Sequence, residues 1–299
     1  MMHKSVRKIV SSPWLILCLL LTCAQFAVGQ QPASKSSPSP GPSPQAQAPV
    51  ARDVHARVTE TLIDSSISDD AAVDKMLAAY SPKVRALDVV IGKLKGELKK
   101  GGMGGGSLGN FVADGMRAQA VLKTGAQVSL ALMNAGGLRR DSIAEGELRT
   151  RDIFELLPFE NKLVTLELNG EQLKRLLQII VSSREAQSGA RIVYKTNAER
   201  KQEMESAKLR DAQNREHDID PQATYTVVTI DYLYKRGGDQ YGVLREGKNV
   251  KELGITHRDA VIDYVKSETA TGRDIKPNLD GRFVLDRANS VLSGEAPPK

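Results

Sequence analysis

Hydrophobic and polar positions change rhythm several times along this chain, and each change marks an element. Residues 54–62 alternate apolar and polar side chains, a period-two pattern that predicts a strand. Residues 69–80 open on Asp69 and Asp70 and then place Val73, Met76 and Leu77 at helical spacing, which predicts a helix with its acidic residues at the positive end of the dipole. Ser107 is positioned to cap a second helix, in which Leu108, Phe111, Val112 and Met116 share one face and Gly125 supplies the stop. Residues 128–133 are mostly apolar, as a strand covered on both faces must be. A strand over 163–168, a turn at Asn169-Gly170, a helix over 171–181 and a strand over 225–230 follow. This alternation predicts an α/β fold, a layered mixed sheet with helices.

The two ends do not follow that pattern. Residues 1–29 carry Lys4, Arg7 and Lys8 ahead of a short apolar run and then small residues, the layout of a secretory signal peptide. Cleavage after Ala27-Val-Gly29 is favoured over lipid anchoring at Cys23, where Leu20-Leu-Thr-Cys23 has an unusual Thr before the Cys. Residues 30–52 are rich in Pro and Ser and lack the apolar side chains that offset folding entropy, so they read as a linker. The expected organisation is a signal peptide at 1–29, a linker at 30–52, a domain at 53–286 and a flexible tail at 287–299. The implied location is exported, periplasmic or extracellular, with no transmembrane segment after cleavage.

Composition narrows the chemistry. The cysteines, Cys18 and Cys23, both lie in the leader, so the cleaved chain has neither disulfides nor a thiol nucleophile. Of 42 basic residues the leader removes three and none of the 36 acidic ones, leaving 39 against 36 and a charge of +3. So small an excess argues against a nucleic-acid partner.

Three loops follow the apolar runs and carry the candidate chemistry. In Asn134-Ala-Gly-Gly-Leu-Arg139 the glycines allow close backbone approach, Asn134 offers a donor and an acceptor, and Arg139 offers a fork suited to phosphate. Leu157-Pro-Phe-Glu-Asn161 presents Phe159, and Asp231-Tyr-Leu-Tyr-Lys-Arg-Gly-Gly-Asp239 presents two tyrosines and a carboxylate. Loops beyond the carboxyl ends of strands are where α/β sheets bind ligands, and an aromatic slot with a nearby carboxylate suits a flat base and ribose hydroxyls.

These motifs, with Leu108-Gly-Asn-Phe-Val-Ala-Asp114 before them and Asp280-Gly-Arg282-Phe after, resemble in order and spacing the C-terminal, substrate-binding domain of 5'-nucleotidases. The resemblance implies that a nucleotide or nucleoside is held between two aromatic rings, Phe159 and Tyr232 or Tyr234. Asn161 would contact the base, Asp239 the ribose, and Asn134 with Arg139 the phosphate side. It departs from the family ahead of Leu108, where an Arg and a Glu are replaced by Lys99-Lys-Gly-Gly-Met-Gly-Gly-Gly106, and Lys235 and Arg236 are the candidates to compensate.

In that family hydrolysis belongs to a separate metallophosphoesterase domain with two metals. Such a centre needs about seven His, Asp and Asn ligands. Beyond the leader this chain has His55, His217 and His257; Asp53-Val-His55 mimics a first metal motif, but no Gly-Asn-His or Gly-His-x-His follows. Glu145, Glu147 and Asp152 read as solvated, and no Gly-x-Ser-x-Gly elbow presents a serine. Gly104 to Gly109 fits G-x-G-x-x-G, but no acidic residue follows about 20 positions later, so a flexible turn is the simpler reading.

The expectation is therefore a nucleoside-binding domain for nucleotide catabolism that carries no cofactor itself, with metals and catalysis on a separate metallophosphoesterase chain. A stand-alone nucleoside- or nucleotide-binding protein, and a structural protein with a decayed site, are the alternatives.

Overall fold

The computed structural model describes residues 57–290. The leader, the whole linker, residues 291–299 of the tail, both cysteines, Asp53 and His55 lie outside the described residues. Residues 57–62 form no strand and are exposed, which corrects the reading of 54–62 as a strand. Alternation alone does not hold a strand without a partner to complete its hydrogen bonds.

The compact body begins at Ile67. Helix α1, Ala71–Ala78, is capped by Asp70, whose carboxylate accepts from the Ala72 and Val73 amides, and α2 covers Ser81–Ala86. Strands β1, Val90–Leu94, and β2, Leu98–Lys99, lead to the glycine run and to α3, Gly106–Thr124. Next come β3, Leu130–Met133, β4, Ser142–Ile143, β5, Gly146–Arg149, α4, Thr150–Leu156, and β6, Lys162–Asn169. Helix α5, Gly170–Ser182, follows directly, with Asn169 and Gln172 capping each other's backbones. The chain continues through β7, Ala186–Ser188, β8, Ala190–Thr196, β9, Gln202–Arg210, β10, Glu216–His217, and β11, Thr224–Ile230. It ends with α6, Asp231–Arg236, α7, Gly242–Arg245, β12, Lys248–Thr256, α8, His257–Ala270, and β13, Phe283–Leu285.

A mixed five-stranded sheet in the order β12-β6-β11-β3-β7 forms the centre. In β3 and in the second half of β11 consecutive residues are buried, so side chains pointing to either face are covered. Helices α3 and α5 both pack on it, and α3 also packs on α8. A second sheet, β10-β9-β8-β13, is antiparallel except for β13 beside β8.

The glycine run is not a flexible turn. Gly104 and Gly105 are buried at φ of 70° and 73°, a region glycine enters without strain. A Cβ on Gly109 would lie 2.0 Å from the Gly104 carbonyl oxygen, so the start of α3 sits directly on the run. Ser107 is not the cap either: α3 is led by Gly105, and the Ser107 hydroxyl accepts from the Lys99 amide at 2.9 Å, tying the helix to β2.

Motifs at opposite ends of the chain meet in one ionic cluster. Arg282, only 5% exposed, forks onto Asp114 at 2.9 and 3.0 Å and onto Asp280 at 2.9 and 3.0 Å, and also donates to the Gln187 carbonyl at 2.9 Å. Burial opposes the charge, yet Asp114 and Asp280 hold the guanidinium above its ordinary range.

Candidate functional site

The sheet register brings the three loops to one end. Leu130 lies beside Val227 in the parallel pair β3–β11, so both strands finish at the same level, with Asn134 after one and Asp231 after the other. Leu163 pairs with Ile230, so antiparallel β6 starts where β11 ends and Asn161 joins them. Thr256 pairs with Lys162 and Ala186 pairs with Met133, which adds His257 from β12 and Glu185 from the turn before β7. One end of the sheet thus carries, across its order, His257, Asn161, Asp231, Asn134 and Glu185.

The first loop closes as a 3-10 turn over Ala135–Gly137, with the Gly137 amide donating to the Asn134 carbonyl at 2.8 Å. A Cβ on Gly137 would approach the terminal methyl of the Met133 side chain to 2.6 Å, so a larger residue there would have to displace that methyl. The Asn134 side-chain oxygen is buried and has no partner among the described residues. Such an acceptor is uncommon in a folded protein and points to a site. Arg139 is exposed, and its guanidinium lies 5.0 Å from the centre of the Phe159 ring.

Phe159 is 37% exposed although it follows a buried Leu156-Leu157 pair, and Asn161 is half-buried. Of the two tyrosines, Tyr232 is 46% exposed, while Tyr234 packs against the core. The segment read as a loop here is in part helix α6, whose geometry turns the two rings different ways. Asp239 projects freely, with Arg245 at 3.9 Å from its carboxylate. Lys235 pairs with Glu252 at 2.9 Å and Asp231 at 3.7 Å, so it is already engaged away from Gly237.

Asp152 is not simply solvated: it accepts from the Arg149 amide at 2.8 Å at the start of α4 and pairs with Arg140 at 3.1 Å. His217 is exposed and pairs with Asp211 at 3.1 Å, away from the other histidine. Among the described residues no three His, Cys, Asp or Glu side chains come together as a metal site. No helix among them is long and apolar enough to cross a membrane.

Two residues beneath the loops are not among the predicted site residues, although His257 is one of the histidines weighed as metal ligands. His257, fully buried, donates its backbone N–H to the Asn161 carbonyl at 2.9 Å and places Nδ1 at 3.1 Å from the same oxygen. A carbonyl can only accept, so Nδ1 carries the proton. Burial pushes the ring down to about 4. The unfolded ring takes up a proton below its ordinary 6.5 while the folded one does not until about 4, so stability is full above pH 6.5 and lost as pH falls through that window. Thermal melts of the wild type are expected to lose roughly 3 kcal/mol of stability across it, and His257→Gln to flatten that part of the slope. A slope unchanged in the variant contradicts the assignment.

Glu185, at 7% exposure, is the other. Its carboxylate accepts from the Ala135 amide and from the Tyr241 hydroxyl, each at 2.5 Å. Neither residue had a spacing signature: β7 after Glu185 reads Ala-Gln-Ser, and β12 before His257 is mostly polar and exposed.

Residues 90–246 match the family described as 5'-nucleotidase, C-terminal domain, and since that is more than half of the chain, the protein belongs to this family. The chain is similar to the trifunctional nucleotide phosphoesterase protein YfkN of Bacillus subtilis, 28% identical over 184 residues that cover 59% of this chain and 12% of that protein. It is also similar to an apyrase of Tabanus yao, 30% identical over 177 residues covering 54% and 32% of the two chains. The fold is shared with the 5'-nucleotidase precursor of Thermus thermophilus, at a TM-score of 0.60 and 26% identity over 72% of this chain and 43% of that one. The chain therefore spans less than half the length of each.

Proposed function

We propose that this chain holds the nucleoside part of a nucleotide for phosphoester hydrolysis in nucleotide catabolism outside the cytoplasm, with metals and catalysis supplied by a separate metallophosphoesterase chain. The observation that carries this reading is the convergence at one sheet end of an exposed Phe159, an exposed Tyr232 and the buried Asn134 oxygen, which has no partner among the described residues. In it Phe159 and Tyr232 stack on the base, Asn161 meets the base edge, Asp239 accepts from ribose hydroxyls, and Asn134 and Arg139 lie toward the phosphate. Membership of the family and the similarity to named nucleotide phosphoesterases support it. Export rests on the leader composition of residues 1–29.

Mixing the chain with a metallophosphoesterase chain that lacks such a half is expected to release phosphate from AMP, with little release from either alone. No release from the mixture, while AMP still binds, favours a stand-alone nucleoside-binding protein. One observation favours that second reading: Lys235 is engaged by Glu252 and Asp231, which leaves the phosphate side with less positive charge than the sequence suggests.

A further inference from the structure

We propose that Glu185 is a positioning residue that ties the Asn134 loop to the Gly237-Gly-Asp239 loop and so sets the spacing between the groups facing the two ends of the ligand. The proposal deepens the function given above and rests on it.

Each half of the tether reaches a residue next to a ligand group. Ala135, whose amide donates to Glu185 Oε2, follows Asn134; Tyr241, whose hydroxyl donates to Oε1, lies two residues after Asp239. The donors are 50 and 56 positions away in sequence, so nothing local dictates the arrangement. The Tyr241 ring is 2% exposed and lies under Gly237, where a Cβ would come within 2.8 Å of Tyr241 Cδ2. A shift of Tyr241 therefore moves the Gly-Gly-Asp turn with it. On the other side Glu185 is itself fixed, its amide donating to the Ile180 carbonyl at 2.8 Å at the end of α5.

The chemistry of the tether is costly for plain packing. Both hydrogen-bonded partners of the carboxylate are neutral groups, and a buried carboxylate without a cation is costly to desolvate. Burial pushes the Glu185 carboxyl up and the Tyr241 hydroxyl up as well. A carboxylate is nonetheless the side chain that accepts from an amide and a hydroxyl at once, one on each oxygen.

The test uses Tyr241→Phe, which keeps the ring under Gly237 and removes only the hydroxyl, with Glu185→Gln and the double variant. Amide hydrogen exchange at Ala135 reports on the first loop without ligand, and calorimetric titration with AMP reports on the site. Tyr241→Phe, a change in the third loop, is expected to speed exchange at Ala135 in the first. Each single variant is expected to weaken AMP binding by about tenfold, and the double variant by no more than the weaker-binding single one, because all three cut one tether. Unchanged exchange at Ala135, or unchanged AMP affinity in variants of a protein that binds AMP, overturns the proposal. If the wild type binds neither AMP nor adenosine, the proposed function fails by itself, and the exchange at Ala135 still decides whether Glu185 couples the loops.

Discussion

Phe159→Ala is expected to weaken adenosine and AMP binding by roughly tenfold to a hundredfold, the factor that corresponds to losing one base stacked on an aromatic ring. The same substitution is expected to leave stability nearly unchanged, since the ring is 37% exposed and the cation beside it is the surface Arg139 at 5.0 Å. Tyr232→Ala should behave alike for the same reason, at 46% exposure. Tyr234→Ala should do the reverse, costing stability by removing a ring that packs on the core. Calorimetry on these variants, with melts alongside, separates a binding ring from a packing ring. A Phe159→Ala protein that binds as the wild type does removes the slot from the account.

Arg282→Ala is expected to have the largest effect on folding. The substitution leaves Asp114 and Asp280 without their shared cation and the Gln187 carbonyl without its donor. Breaking a buried pair from one side costs about 3–5 kcal/mol, which for a domain of this size lowers the melting temperature by roughly 6–20 °C. Arg282→Lys should recover little, because an ammonium cannot make the two forked contacts. Differential scanning calorimetry checks both, and an Arg282→Ala melt within about 2 °C of wild type contradicts this view of the cluster.

That cluster also shows what kind of information the sequence carries. Asp114 and Arg282 are readable as parts of two motifs, but only the fold shows that they bind each other and hold α3 to the segment leading into β13. The loops were legible because apolar strands end in glycines and polar residues, a local pattern. The supports were not: Glu185 reaches the site through pairing of β7 with β3, and His257 through pairing of β12 with β6, and no spacing rule links positions that far apart. The strand expected over 54–62 failed for the complementary reason, since alternation is local and a strand's partner is not. Ser107 and the glycine run were misread because burial, not local propensity, sets their role.

The central claim is that the end of this sheet is a nucleoside slot, and calorimetric titration of the chain with adenosine and AMP in the absence of metal tests it most directly. The account predicts saturable heat for one ligand per chain, abolished or strongly weakened in Phe159→Ala. No heat and no thermal stabilisation at ligand concentrations of about 1 mM, where even a weak site of this kind stabilises its fold, would contradict it.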